Sequence, residues 1–172
     1  MVLMLSSKKL FIFYLGGDAP GANIEVHDVQ FAAVERPEEA HPLLIEKWFG
    51  TRDSLHLDAY GIVTWADGHA VSIHTTPSAS TNKLYFINMG GYTPGALCED
   101  HAFTFLVAPS AEEAKTRAKQ LLLTDRNLQH HDNLMDIDDC ILIDKIDGLF
   151  IHLEPHPTGT ALHAEWQGYQ PI

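Results

Sequence analysis

At 172 residues, 45% hydrophobic and 20% charged, the chain has apolar material for one ordinary domain or two small ones. Eleven Lys and Arg against 23 Asp and Glu leave a formal charge of −12, which argues against nucleic acid and anionic membrane surfaces as partners. The two cysteines, Cys98 and Cys140, have neither metal-type spacing nor the makings of a disulfide framework, so they read as small core residues in a cytoplasmic protein.

In chain order, the apolar start before Lys8 and Lys9 and the run at residues 10–15 are both too short for a signal peptide or a membrane span. The run at 10–15 is continuous and ends at Gly16-Gly17, the pattern of a strand buried on both faces. A Gly16-Gly17-x-x-Pro20-Gly21 loop then passes through Glu25-x-His27 to a second predicted strand at 29–34. Pro37 suits a first helical turn. Pro42 lies deeper, where it predicts a kink or a late helix start, with Leu44 and Trp48 facing the core. Predicted strands at 57–64 and 70–75 flank Asp67-Gly68, a hairpin signal.

The same order then recurs. Adding 74 to positions 9–40 gives thirteen identities in 32 ungapped positions, where composition alone gives about two. Gly16-Gly17 falls on Gly90-Gly91, Pro20-Gly21-Ala22 on Pro94-Gly95-Ala96, Glu25 on Glu99 and His27 on His101. Strands are predicted at 84–89 and 103–108. The following helix carries a Ser110-x-x-Glu113 capping box, with Ala111, Ala114, Ala118, Leu121 and Leu122 at helical spacing. Past the helix the offset becomes 80, which implies a six-residue insertion within 125–135. Leu57 then falls on Ile137, Asp58 on Asp138 and Asp67-Gly68 on Asp147-Gly148.

These elements predict an α+β fold: a tandem duplication of a strand–strand–helix–strand–strand unit. The divisions are 1–80, 81–156 and a tail at 157–172. That order suits a ubiquitin-like roll, whose crossover through the helix would lay the first and last strands side by side and parallel. The 13 residues from Gly16 to Asp28 leave no room for the extra helix of a ferredoxin-like order. Two such halves would cover one another about a pseudo-twofold axis. The motif Gly-Gly-x-x-Pro-Gly-x-x-x-Glu-x-His, the Ser54-Leu55-His56-Leu57-Asp58 stretch and the closing Gly168-Tyr169-Gln170-Pro171 resemble a bacterial family. That family is catalogued as a domain of unknown function occurring in one or two copies. The resemblance implies duplication and a bacterial cytoplasmic setting, and it brings no activity.

Catalytic motifs with a nucleophile elbow, a His-Glu-x-x-His helix or a phosphate loop are absent. The ligand-binding candidates are Glu25, His27, Glu99 and His101, together with Gly16, Gly17, Gly90 and Gly91. A carboxylate and an imidazole two residues apart leave an extended chain on one face, as metal ligands or an acid–base pair do. Their structural alternative is hydrogen bonding to the adjacent glycine loop. The glycines either present N–H groups to an anion or supply positive φ where a strand ends. His56-x-Asp58, matching Asp136-x-Asp138, offers an addition to the cluster or plain solvated acids. His152-x-Glu154-x-His156 is interrupted by Pro155, and His130-His131-Asp132 lies in the insertion. The expectation is a non-catalytic binding or interaction module for a protein or small-molecule ligand, open to homo-oligomerisation. The alternative is a small metal-dependent, hydrolase-like enzyme using the paired Glu-x-His motifs. No particular cofactor or metal is specified.

Overall fold

A computed structural model describes residues 7–125 and 135–172, the side chains of 122–125 and 135–136 excepted. The expected insertion and its His130-His131-Asp132 therefore lie largely outside the described residues. Two compact units result: one takes 1–77 together with 145–172, the other 78–144.

In the first unit β1 (Lys9–Gly17) is the central strand. It pairs antiparallel with β2 (Val26–Val34) from Lys9↔Val34 to Gly17↔Val26, and on its other side with β3 (His56–Ile62). Phe11, Phe13 and Leu15 point to one face, where they pack with Leu44, Trp48, Leu55 and Leu57 in a closed core. Leu10 and Ile12 are buried on the other face as well, as the uninterrupted apolar run predicts. Between β2 and β3 a 3-10 turn (Pro37–Ala40) leads into the short helix α1 (His41–Lys47). Pro42 sits in the first turn of α1, where its missing N–H costs nothing, so the late start is the alternative realised.

The second unit repeats this register. β6 (Lys83–Gly91) pairs with β7 (Asp100–Ala108) from Lys83↔Ala108 to Gly91↔Asp100, each position 74 beyond its counterpart. β8 (Met135–Ile143) pairs with β6 and shifts register between Asn88 and Met89, as β3 shifts against β1 between Tyr14 and Leu15. Helix α2 (Ala111–Asp125) buries Ala114 and Ala118 against Ile87 and Leu106. The Ser110 hydroxyl accepts the Glu113 N–H at 3.2 Å, one half of the predicted capping box. Leu121, expected on the core face, is exposed.

The remaining strands depart from a roll. β4 (Trp65–Ala66) and β5 (His69–His74) form one hairpin, β9 (Lys145–Ile146) and β10 (Leu149–Pro155) another. Asp67-Gly68 and Asp147-Gly148 all have positive φ, the geometry the two-residue turn needs. β5 does not lie parallel to β1. It pairs antiparallel with β10, giving a four-stranded sheet in the order β4-β5-β10-β9 inside the first unit. Each hairpin thus satisfies the unpaired edge of the other. The described ladders are all antiparallel, so the ubiquitin-like roll is corrected.

The expected division at 81–156 differs from the compact units for the same reason: residues 145–155 belong with the first unit. The expected tail is not all tail either. β11 (Trp166–Pro171) adds to β3, completing the order β11-β3-β1-β2. Trp166 stacks on Tyr60 and Tyr169 packs at a tilt against His56, which anchors a strand that its Gly and Pro content concealed. No helix among the described residues is long and apolar enough to cross a membrane.

Candidate metal centre

Gly16 and Gly17 are not loop residues but the last two positions of β1. Gly16 lies directly across from His27 on β2 and from His56 on β3, so one glycine separates two imidazoles in a row across three strands. Cross-strand partners share a face, and it is the face opposite Phe13 and Leu15. Without a side chain at Gly16, the flanking groups converge over the central strand. A Cβ built there would lie 2.6 Å from His56 Nε2 and 2.8 Å from both Asp58 Oδ2 and Glu25 Oε1.

The convergence is close. His56 Nε2 is 2.6 Å from Glu25 Oε1 and 3.2 Å from Asp58 Oδ1. His27 Nε2 is 3.3 Å from Asp58 Oδ2 and 3.9 Å from Glu25 Oε2. Each carboxylate therefore lies between the two rings. The side chain of His56 is only 6% exposed, whereas His27 and Glu25 reach the surface. His56 Nδ1 lies 3.0 Å from the Ser54 carbonyl. A carbonyl oxygen only accepts, so Nδ1 carries the hydrogen. Nε2 of the neutral ring then presents a lone pair toward carboxylate oxygens. That arrangement needs a proton or a cation between them. The orienting bond from the far ring nitrogen is the one metal-ligating histidines make. Tyr14 stacks flat on His27, with ring centroids 5.1 Å apart. Burial first, and then the charges of Asp58 and Glu25, push the Tyr14 phenol above its ordinary pKa.

The second unit builds the same cluster. Glu99, His101 and Asp138 each offer one ligand atom, all within 4.8 Å of one another. His101 Nε2 is 3.6 Å from Glu99 Oε2, and its Nδ1 is 3.5 Å from Asp138 Oδ2. Asn88, which replaces Tyr14, stands 3.3 Å from His101 Nδ1 through Oδ1 and donates to Asp139 Oδ2 at 3.0 Å. Gly90 lies opposite His101, and a Cβ there would collide with Glu99 and Asp138. On its other side Gly90 pairs with Asp136, the register position of His56.

Positive φ belongs instead to Gly21 and Gly95, in the turns that follow. There the N–H of Ala22 meets the carbonyl of Ala19, and that of Ala96 meets Thr93, both at 3.0 Å. Pro then Gly at the centre is the type II order. Gly17 faces the helix side, and a Cβ there would press on Ser54 and Trp48 at 2.9 Å. Gly91 ends β6 at the corresponding place.

Sequence reasoning placed Glu25 with His27 and Glu99 with His101, but treated His56 and Asp58 as an addition and overlooked Tyr169. The signal for His56 was the offset of 80, which set Asp58 on Asp138. Tyr169 stood in the closing Gly168-Tyr169-Gln170-Pro171 stretch, but nothing tied it to the cluster before β11 was known. Cys98 is exposed rather than a core residue, and Cys140 is partly buried with its thiol pKa raised by burial. His152 stacks on His74 with centroids 4.0 Å apart and approaches the Thr76 carbonyl at 2.7 Å, while Glu154 and His156 are exposed.

Comparison with known proteins finds similarity both to a sequence family and to solved structures. The family described as Domain of Unknown Function (DUF1543) matches residues 22–73 and again 96–153. The crystal structure of the protein Il1583 from Idiomarina loihiensis is similar over 95% of this chain and 97% of that one, at 34% identity and a TM-score of 0.75. No curated protein matches.

Proposed function

We propose, for a chain that belongs to the DUF1543 family of domains of unknown function, that it is a binding module whose ligand is a divalent metal ion, held at each Glu-x-His cluster. One observation carries this reading. The same trio of a Glu, a His and an Asp gathers over a strand glycine in both units, at offsets of 74 and 80. Two carboxylates and neutral imidazoles around a dication sum to zero charge, whereas the carboxylates alone repel. The family match starts at 22 and 96 and ends at 73 and 153, which are the same two offsets. Tandem duplication of one metal-binding unit accounts for the pattern.

The second reading is a metal-dependent hydrolase. It is favoured by the exposure of Glu99, His101 and Asp138, which leaves coordination positions for water and substrate.

Thermal melts of chelator-stripped wild type, His27→Ala, His101→Ala and the variant carrying both changes, with and without Zn²⁺, Mn²⁺ and Mg²⁺, test the proposal. Binding at a hundredfold excess over Kd stabilises by about 2.7 kcal/mol. Wild type should show that gain with at least one ion, and the double variant should not. Equal melting of all proteins in every ion would end the metal reading.

A further inference from the structure

Resting on the metal-binding reading, we infer that the two clusters are inequivalent: Glu25/His27/His56/Asp58 is a closed site for a zinc-type ion, and Glu99/His101/Asp138 is an open, oxygen-rich site for a harder, exchangeable ion such as Mn²⁺. The first difference is the donor set. The first cluster offers two imidazole nitrogens and two carboxylates, a four-donor set that fills a tetrahedral shell without water. In the second, one imidazole faces two carboxylates, and the strand position of His56 is held by Asp136. Imidazole suits zinc and its neighbours in the transition series, whereas carboxylate and water suit manganese and magnesium.

The second difference is cover. His56 is the most deeply buried of these donors, and the tilted Tyr169 ring lies 4.3 Å from it, carried on β11 along the outer side of β3. In the second unit β8 is an edge strand among the described residues, with no counterpart of β11 beside it. Its three donors are each a third to a half exposed, as Glu25 and His27 are in the first cluster, so the difference in cover lies at His56 and Asp58. A shell that reaches solvent at every donor keeps room for water and exchanges its ion freely, while one with His56 buried and Asp58 partly buried holds it longer. The third difference is the orienting bond. His56 is fixed through Nδ1 to a backbone carbonyl, but His101 shares its Nδ1 between Asn88 and Asp138. The first ring is therefore committed to presenting Nε2, and the second is not.

The test is a competition on the full chain. Chelator-stripped protein is loaded with equimolar Zn²⁺ and Mn²⁺. Zinc retained after gel filtration is measured by mass spectrometry, and free Mn²⁺ by electron paramagnetic resonance. Wild type should retain one zinc per chain and bind one manganese reversibly. His56→Asp, which gives that strand position the residue type found at 136, should weaken zinc retention by at least the roughly 10–100-fold that an outer-shell change costs, and leave the second site's manganese in place. Asp138→Asn should release the manganese and keep the zinc. Two zinc ions held equally with manganese excluded, or Asp138→Asn weakening both ions alike, would overturn the inequivalence while metal binding itself stood. Wild type binding neither ion would remove the metal reading itself. The wild-type stoichiometry decides the matter even if a variant fails to fold.

Discussion

At the scale of single residues, the site depends on one missing side chain. Gly16 lies in extended strand backbone that alanine also adopts, so its role is the space above it. Gly16→Ala would place a methyl group within 2.6–2.8 Å of three polar atoms of the cluster. Displacing them should cost about 1–3 kcal/mol of stability and abolish metal-dependent stabilisation. Gly21→Ala is the control: nothing lies within 4 Å of its Cβ, but its φ of +84° is strained for alanine. It should cost about 1–2 kcal/mol and leave the metal response intact. Calorimetry of both variants with and without Zn²⁺ separates the two glycine roles, and retained metal stabilisation in Gly16→Ala would contradict the first. Tyr14 reports the charge of the same site. Because Asp58 and Glu25 help to raise its phenol pKa, neutralising one of them in Asp58→Asn should bring the ultraviolet phenolate transition to lower pH. A bound dication should act in the same direction. An unmoved transition would mean that burial, the largest cause, accounts for the whole shift.

At the scale of elements, the pairing of β5 with β10 is the feature least visible in the sequence. Both Asp-Gly turns were legible, because positive φ at two successive positions has a residue signature. The alternation of Val71 and Ile73, or of Ile151 and Leu153, states only that a strand has an inner face. It does not name the neighbouring strand, so a roll and an exchanged hairpin fit equally well. The ladder is symmetric under the offset of 80: Ser72 faces its own counterpart, His152. Beside that pair His74 is buried. Its Nε2 meets the Ser72 hydroxyl at 3.0 Å, and its Nδ1 has no hydrogen-bond partner in the described structure. Burial, and then the neighbouring His152, hold the pKa of His74 below its ordinary value, against a smaller opposite pull from Glu154. The unfolded chain therefore takes up this proton first as pH falls. The contribution to stability is complete above about pH 6.5 and is lost as pH drops through the unfolded pKa toward the folded one. Urea unfolding at pH 7.5 and 5.5 should show the loss in wild type and a smaller loss in His74→Phe, which keeps an aromatic ring on His152. An equal loss in both would assign the acid sensitivity elsewhere.

At the scale of the whole molecule, the chain runs out of the first unit at residue 77 and returns to it at 145. Ending the chain after Asp144 would remove β9, β10 and β11, all of which belong to the first unit. β5 would lose β10 and keep only the two-residue β4, and β3 would lose both β11 and the contact of Tyr169 with His56. Amide exchange of the truncated chain should therefore show protection lost across β1–β3 and β5 and kept in β6 and β7; the reverse would contradict the division. The repeated unit was readable because identities at a fixed offset survive divergence of the core. The site was half readable, since Glu25 and His27 are neighbours in sequence while His56, Asp58 and Tyr169 reach them only through strand pairing. The measurement that bears most directly on the central claim is anomalous diffraction at the zinc edge from crystals grown with Zn²⁺. A peak over Gly16, within bonding distance of His27, His56, Glu25 and Asp58, is the expected result. Zinc-edge maps featureless at that position, from protein whose side chains are otherwise ordered, would contradict it.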